Sequence, residues 1–292
     1  MNILSYDIEE WYIEKKFNGA RKEKYKEYDE YFHRILDVLD ARNFKATFFC
    51  VGGIATDFPY VVKEIAKRGH DIGCHSNEHT WLTKMTPEQL QLDTKTAVAA
   101  LEDCCGQKVV SFRAPAFSIG ENNKWALEVL AECGIECDSS LFPARRDFGG
   151  FDSFPTSNPS IVEYKGARIK EFPIMLAPLF GKQVAYSGGG YFRLYPYNFV
   201  SDNMKKNSYN ICYFHIGDLI YNKEKIMTRD KYETYFQENG SLKNRILRYF
   251  KSHVGTKGAF SKMEHLFDEF EFMSLAQADR KLNWNNIDLI NL

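Results

Sequence analysis

The sequence predicts an α/β fold, either a parallel sheet or an α/β barrel, on three observations. Short apolar runs predict strands, and segments with helical spacing of apolar residues separate them. Polar residues stand directly after several of these strands, as they do where a barrel or a parallel sheet presents a site. With 292 residues and 44% hydrophobic composition, the chain can bury the core of one barrel-sized domain or two smaller ones.

The first half alternates predicted strands and helices. End signals as well as apolar spacing predict three of the helices. Pro59 stands in the first turn of one helix, and Gly134 ends another. Thr86 is the predicted N-cap of the third, with Pro87 as its first residue. The charged stretch 14–26 is predicted to be a loop or an insertion. The predicted strands are 2–6, 45–51, 71–74, 109–112 and 135–137, and the predicted helices are 28–42, 58–68, 86–104 and 122–133.

The second half has a different pattern. Segments 161–164 and 168–172 flank Lys165-Gly166 and predict a β-hairpin, and 187–191 predicts a flexible glycine turn. Further predictions are helices 196–206, 242–250 and 275–281, and strands 211–214 and 270–273. Without an internal repeat or linker, residues 1–292 are predicted to form one domain, less typical from about residue 220.

Composition and charge exclude several classes of protein. The 38 basic and 39 acidic residues leave no basic stripe for a phosphate backbone, so we expect no nucleic-acid partner. There is no secretory signal and no apolar run near the roughly 20 residues that span a bilayer. Seven irregularly spaced cysteines fit reduced thiols, and we therefore expect a cytoplasmic protein without a transmembrane segment. The oligomeric state stays open.

Two histidines four residues apart are the most informative feature of the chain. His75 and His79 follow the predicted strand 71–74, and on one helical turn their Cβ atoms would lie about 5–6 Å apart. Imidazole is the commonest metal-donor side chain, so the pair can chelate one divalent ion. Taken alone, the same spacing equally fits two surface or capping histidines.

Other polar residues follow predicted strands and would converge with this pair in a barrel. They are Asp7, Glu9 and Glu10 after the first strand, Arg113 after the strand 109–112, and His215 after the strand 211–214. Two imidazoles and a carboxylate leave open positions on a metal ion. A second carboxylate can take a proton from water, and a separate histidine can protonate a leaving group, which together match hydrolysis of an amide or ester.

The order of these motifs resembles the polysaccharide deacetylases, the NodB-homology proteins of carbohydrate esterase family 4, in the branch with an Asp-x-Glu-Asp-Trp-like first motif. The resemblance covers residues 1 to about 220. It implies a distorted (β/α) barrel of about seven parallel strands with an added β-hairpin. The matching segments are Tyr6-Asp7-Ile8-Glu9-Glu10-Trp11, Ala46-Thr47-Phe48-Phe49, His75-Ser76-Asn77-Glu78-His79, Arg113-Ala114-Pro115, Asp138-Ser139-Ser140 and Tyr213-Phe214-His215.

The resemblance implies roles for individual residues. His75 and His79 would be metal ligands, together with Glu9 or, as the alternative carboxylate, Glu10. Asp7 would be the general base and His215 the general acid, and Arg113 would hold the base carboxylate. We expect Asp138 to be structural, because the following Ser-Ser favours a turn or cap, and we leave the roles of Arg193 and Asp218 open.

The implied activity is metal-dependent removal of an N-acetyl group from a sugar or glycan, with release of acetate. The partner would be an acetylated sugar or glycan, and the donor set fits Zn2+ first, with Co2+, Ni2+ or Fe2+ as alternatives. Two other functions remain open: a deformylase or other small-amide hydrolase on the same fold, and a catalytically inactive carbohydrate-binding protein.

Overall fold

One nine-stranded sheet organises the protein. The computed structural model describes residues 1–146, 149–236 and 238–292. The strands are β1 Asn2–Ile8, β2 Thr47–Cys50, β3 Asp71–Cys74, β4 Ser111–Phe112, β5 Cys137–Asp138, β6 Ser160–Tyr164, β7 Ala167–Glu171, β8 Leu176–Leu179, β9 Lys182–Ala185, β10 Asn210–His215 and β11 Leu289–Asn291. The large sheet has the order β10-β1-β2-β3-β4-β5-β7-β6-β11, and β8 and β9 form a separate hairpin.

Seven neighbouring strands of the large sheet, from β10 to β7, run parallel. The predicted α/β fold is therefore confirmed, with a β-hairpin of β6 and β7 added to it. The turn of this hairpin is Lys165-Gly166, with φ of 49° and 86°. Two central residues with positive φ are the requirement of a type I′ turn, which explains why the pair at this position includes a glycine.

Helices separate the parallel strands along the chain. They are α1 Glu10–Phe17, α2 Lys22–Ala41, α3 Gly52–Asp57, α4 Pro59–Lys67, α5 Pro87–Cys105, α6 Trp125–Glu132, α7 Gly189–Leu194, α8 Tyr197–Lys206, α9 Ile216–Leu219, α10 Arg229–Phe236, α11 Leu242–His253, α12 Ala259–Glu269 and α13 Leu275–Lys281. The predicted cap of α5 is confirmed, because Thr86 Oγ1 accepts from the Gln89 N–H and the Gln89 side chain accepts from the Thr86 N–H. Of the helices described, none is both long and apolar enough to cross a membrane.

Three local predictions were wrong. The stretch 14–26 is mostly helical, and its charged composition concealed Glu14, which is buried in an ion pair with Arg21. Most of the expected glycine turn 187–191 lies in α7. Segment 270–273 makes only an isolated bridge between Met273 and Ile3, and the last strand is β11.

The register of the sheet brings the predicted polar residues to one edge. Asp7 in β1 pairs with His215 in β10, and Cys74 at the end of β3 pairs with Phe112 in β4. His75 and Arg113 each follow one of these two paired residues. Because parallel strands end at the same edge, side chains far apart in sequence lie close together here.

We expect the core face of α5 to carry much of its stability. Leu101 is fully buried and Leu92, on the same helix, is 71% exposed. Leu101→Ala should lower the free energy of unfolding by about 2–5 kcal/mol, because it removes buried methyl groups and leaves a cavity. Leu92→Ala is the matched control and should change it by less than about 0.5 kcal/mol. Urea denaturation measures both, and equal effects of the two substitutions would contradict this packing.

Candidate metal and active site

Glu9, His75 and His79 form a cluster of possible metal ligands at the carboxyl ends of the strands. The Nε2 atom of His79 lies 2.5 Å from Glu9 Oε2, and that of His75 lies 3.6 Å from the same oxygen. One donor atom from each residue lies within 4.8 Å of the other two. The sequence placed these residues after two different strands, and the structure brings them together.

The backbone of the histidine pair differs from the helical turn that the spacing indicated. Residues 75–79 form an irregular loop, so the helical placement was wrong. Ser76 and His79 have φ of 60° and 58°, a left-handed conformation that costs about 1–3 kcal/mol in residues other than glycine. The loop is held by the Asn77 N–H, which donates to Asp93 Oδ2 over 2.8 Å. This backbone turns both imidazoles toward Glu9.

A hydrogen bond sets the orientation of the His75 ring. Its Nδ1 lies 2.7 Å from the carbonyl oxygen of Arg113. Because a carbonyl oxygen only accepts, Nδ1 is the donor of this hydrogen bond, and Nε2 is the ring nitrogen that faces Glu9. Outer hydrogen bonds of this kind are typical of histidines that bind metal ions. The donors present, two imidazole nitrogens and one carboxylate oxygen, therefore fit a divalent transition-metal ion.

Charge on Glu9 is favoured by its neighbours. Burial raises the pKa of this carboxyl, but His79, His215 and His75 outweigh burial and hold it well below its usual range. Glu9 is thus ionised, as a ligand must be.

The alternative ligand Glu10 points elsewhere. Its Oε1 accepts from the Gly217 N–H over 2.6 Å, and it is not part of the cluster with the two histidines. Burial, followed by the charge of Glu9, raises its pKa to about 7.

Asp7 is held by a buried ion pair. Arg113 Nη1 donates to Asp7 Oδ1 over 2.7 Å and to Ser5 Oγ over 2.9 Å, and both members of the pair are almost fully buried. The other guanidinium donors go to the carbonyl and hydroxyl oxygens of Ser139. The second oxygen of Asp7, Oδ2, lies 3.8 Å from Nε2 of His215. One carboxylate oxygen is therefore anchored while the other faces the site.

His215 is positioned by Asp218, one of the residues whose role the sequence left open. Its Nδ1 and its backbone N–H lie 2.9 and 3.0 Å from Asp218 Oδ2, and Arg193 Nε donates to Asp218 Oδ1 over 3.0 Å. Burial lowers the pKa of His215, but Glu9, Asp218 and Asp7 together hold it well above its usual value. Nε2 thus carries a proton and lies 3.9 Å from Glu9 Oε1.

Asp138 lies in strand β5 rather than in the turn or cap that its sequence context favoured. Its Oδ1 accepts from Ser140 Oγ over 2.5 Å, and that hydroxyl in turn accepts from the Ala114 N–H. Sequence analysis missed its neighbour Glu171, which is fully buried at the end of β7 and accepts from the Leu141 N–H. Burial and then Asp138 raise the pKa of Glu171. No motif marks Glu171, and only the pairing of β5 with β7 reveals it.

Comparison with known proteins finds two family matches. Residues 24–137 match the family model described as polysaccharide deacetylase, and residues 139–280 match one described as a domain of unknown function. The chain is therefore similar to the polysaccharide deacetylase family over residues 24–137.

Two curated relatives are similar over part of the chain. A peptidoglycan-N-acetylglucosamine deacetylase of Bacillus cereus is 38% identical over 100 residues, which are 34% of this chain and 36% of the relative. A chitooligosaccharide deacetylase of Rhizobium leguminosarum is 35% identical over 98 residues, 34% of this chain and 43% of the relative. The match thus spans less than half the length of each relative.

A solved structure extends the likeness of the fold to the entire chain. A Mycobacterium smegmatis protein described as a polysaccharide deacetylase superposes with a TM-score of 0.65 at 15% identity. The superposition covers 100% of this chain and 92% of that one. At this identity the likeness concerns the fold alone.

We expect Asp218→Asn to lower the pKa of His215, because it removes one of the negative charges that stabilise the imidazolium. With the pKa raised in the wild type, protonation of His215 favours the folded state below the unfolded pKa of about 6.5. This contribution is lost as the pH rises through the folded pKa, so Asp218→Asn should reduce stability most on the acid side. NMR titration of the imidazole in chelator-treated protein measures the shift. Asp202→Asn, an exposed aspartate of α8, is the control, and equal pKa values in all three proteins would contradict the assignment.

Proposed function

We propose that the protein is a metal-dependent hydrolase that removes an N-acetyl group from a sugar or glycan. The observation that carries this proposal is the cluster of Glu9, His75 and His79 beside an anchored carboxylate, Asp7, and an imidazole, His215, that Asp218 holds in place. A base and an acid next to a set of metal donors are what hydrolysis of an amide requires.

Glu9, His75 and His79 would hold the cation, for which Zn2+ is the first choice and Co2+, Ni2+ and Fe2+ are alternatives. A divalent cation, when bound, supplies Lewis-acid polarisation of a carbonyl group and lowers the pKa of water. The hydrogen bond from His75 Nδ1 to the carbonyl oxygen of Arg113 would hold the ring so that Nε2 could bind the cation.

Asp7 would act as the general base. Its Oδ1 is occupied by Arg113, so Oδ2 is the atom left to accept a proton from the attacking water. The guanidinium holds the carboxylate in this orientation before the reaction.

His215 would act as the general acid. The proton at Nε2 would pass to the nitrogen of the sugar as the carbon–nitrogen bond breaks, which leaves acetate and a free amine. Asp218 receives the Nδ1–H bond and stabilises the imidazolium in this orientation. Arg113 and Asp218 are therefore positioning residues for the base and the acid.

The substrate class rests on the family and its relatives, which are named for deacetylation of peptidoglycan N-acetylglucosamine and of chitooligosaccharides. A panel of N-acetylated and N-formylated sugars, assayed for released acetate and formate, distinguishes a deacetylase from a deformylase. Glycan binding without any hydrolysis would instead indicate an inactive binding protein.

We also propose that residues 1–292 act as one domain, since strands from residue 2 to residue 291 share one sheet. The seven cysteines are all free thiols, which supports a reducing compartment for the protein.

We expect the metal to depend on Glu9 and not on Glu10. His79→Ala and Glu9→Gln should each weaken metal binding by about 10–100-fold or more, because each removes a donor atom. Glu10→Gln is the matched control and should retain the metal, since the carboxylate of Glu10 faces the Gly217 N–H. Metal content after dialysis and calorimetric titration with Zn2+ measure this. Full metal content in Glu9→Gln together with loss in Glu10→Gln would reverse the assignment.

Removal of the base should separate catalysis from metal binding. Asp7→Asn should lower kcat for acetate release by about 10²–10⁴-fold, because the amide cannot take the proton from water. Metal content should not change, since Asp7 is outside the cluster of donors. Acetate release and metal analysis are measured on the same preparation, and circular dichroism checks the fold. Wild-type kcat in this variant would exclude Asp7 as the base.

A further inference from the structure

A basic pocket of about 630 Å³ lies between α2, the segment that follows His215, and α11. Among the residues that the structure describes, seven lysines and arginines line it, against a single carboxylate, Glu224. The chain as a whole has a net charge of only −1, so this concentration of positive charge is local. A pocket lined by charges of one sign attracts ligands of the opposite sign.

Two of the basic side chains have acidic partners. Glu224 lies 3.0 Å from Arg21 Nη1 and 3.2 Å from Lys24 Nζ. Arg21 also pairs with the buried Glu14, and Lys24 with Glu27. These contacts fix one wall of the pocket. They also occupy Glu224, the one carboxylate among the described residues of its lining.

Three other lysines of the lining are not compensated in this way. Within residues 1–146, 149–236 and 238–292, no carboxylate lies within ion-pair distance of Lys223, Lys225 or Lys231. Arg245 donates to the carbonyl oxygens of Gly240 and Met227, which are neutral groups. The pocket therefore holds several positive charges that an anionic ligand can neutralise together.

The pocket borders the candidate active site. Gly217 lies on its wall, two residues after His215, and the Gly217 N–H donates to Glu10, the residue that follows Glu9. A group bound in the pocket would therefore lie on the side of the site at which His215 would protonate the leaving nitrogen.

We propose that this pocket binds a phosphate or diphosphate group that is covalently attached to the acetylated sugar. The inference rests on the proposed function and adds the chemical class of the substrate. A single carboxylate would neutralise only one of the clustered cations, whereas a diphosphate carries several charges and enough oxygen atoms to accept from several ammonium groups. Nucleotide-linked and lipid-linked sugars share this chemistry.

The first test measures binding of inorganic pyrophosphate by calorimetry. The double variant with Lys223→Glu and Lys225→Glu should bind it at least about tenfold more weakly than the wild type, because two attractive charges become repulsive. Lys95→Glu, on the exposed face of α5, is the matched charge reversal outside the pocket and should bind like the wild type. Added NaCl should weaken wild-type binding, as it does for exposed charges.

A second variant separates the pocket from the proposed metal site, where pyrophosphate can also bind. His79→Ala should abolish acetate release and keep pyrophosphate binding, so a failure of the proposed function does not affect this measurement. Binding that is unchanged in the lysine variant, or lost only in His79→Ala, would overturn the inference.

The substrate itself is tested by the ratio of kcat/KM for a nucleoside-diphosphate N-acetylglucosamine to that for a neutral N-acetylglucosamine oligomer. The lysine variant should lower this ratio about tenfold and leave hydrolysis of the neutral oligomer unchanged. Binding of the nucleotide sugar assigns the phosphate to a soluble carrier, and binding only to vesicles that contain phosphatidic acid assigns it to a lipid. An equal ratio in wild type and variant, with no binding to either carrier, overturns the proposal.

Discussion

The buried ion pair of Arg113 with Asp7 is the interaction on which the rest of the site depends. The guanidinium is fully buried, and its donors reach Asp7 and Ser5 in β1 and Ser139 directly after β5. The backbone carbonyl of the same arginine accepts from His75. One residue thus orients the proposed base and one of the proposed metal ligands. Removal of one member of such a pair costs about 3–5 kcal/mol, because the other charge stays buried without a partner.

The parallel sheet makes this arrangement possible. Strands β10, β1, β2, β3 and β4 are consecutive neighbours, and all end at the same edge. Four of these strands deliver the site residues at or near their ends, so four short segments build a site that no single segment contains. Glu9 lies near three imidazoles, and His215 lies near three carboxylates. These neighbours lower the pKa of Glu9 and raise the pKa of His215, so each group favours the charged form of the other.

The C-terminal part adds a different kind of surface to this scaffold. The segment after His215 and helix α11 contribute most of the basic lining beside the site, and they lie in the region that matches a domain of unknown function. The proposed ligands His75 and His79 lie in the polysaccharide deacetylase match, Asp7 and Glu9 precede it, and His215 and its partner Asp218 lie in the second region. The second region therefore supplies the proposed general acid and most of the basic residues that line the neighbouring pocket.

The sequence by itself determined the alternation of strands and helices, the hairpin at Lys165-Gly166 and the membership of Asp7, Glu9, His75, His79, Arg113 and His215 in one set. These follow from local signals: apolar periodicity, capping residues, turn chemistry and short motifs. Only the tertiary structure decided that Glu9 rather than Glu10 faces the histidines. It also showed that His75 and His79 lie in an irregular loop in which His79 has a positive φ. The positions of Asp218 and Glu171 near the site likewise came from the structure alone. Carboxylates one residue apart look alike in sequence. The direction each one takes depends on strand register and on hydrogen bonds from residues more than 60 positions away.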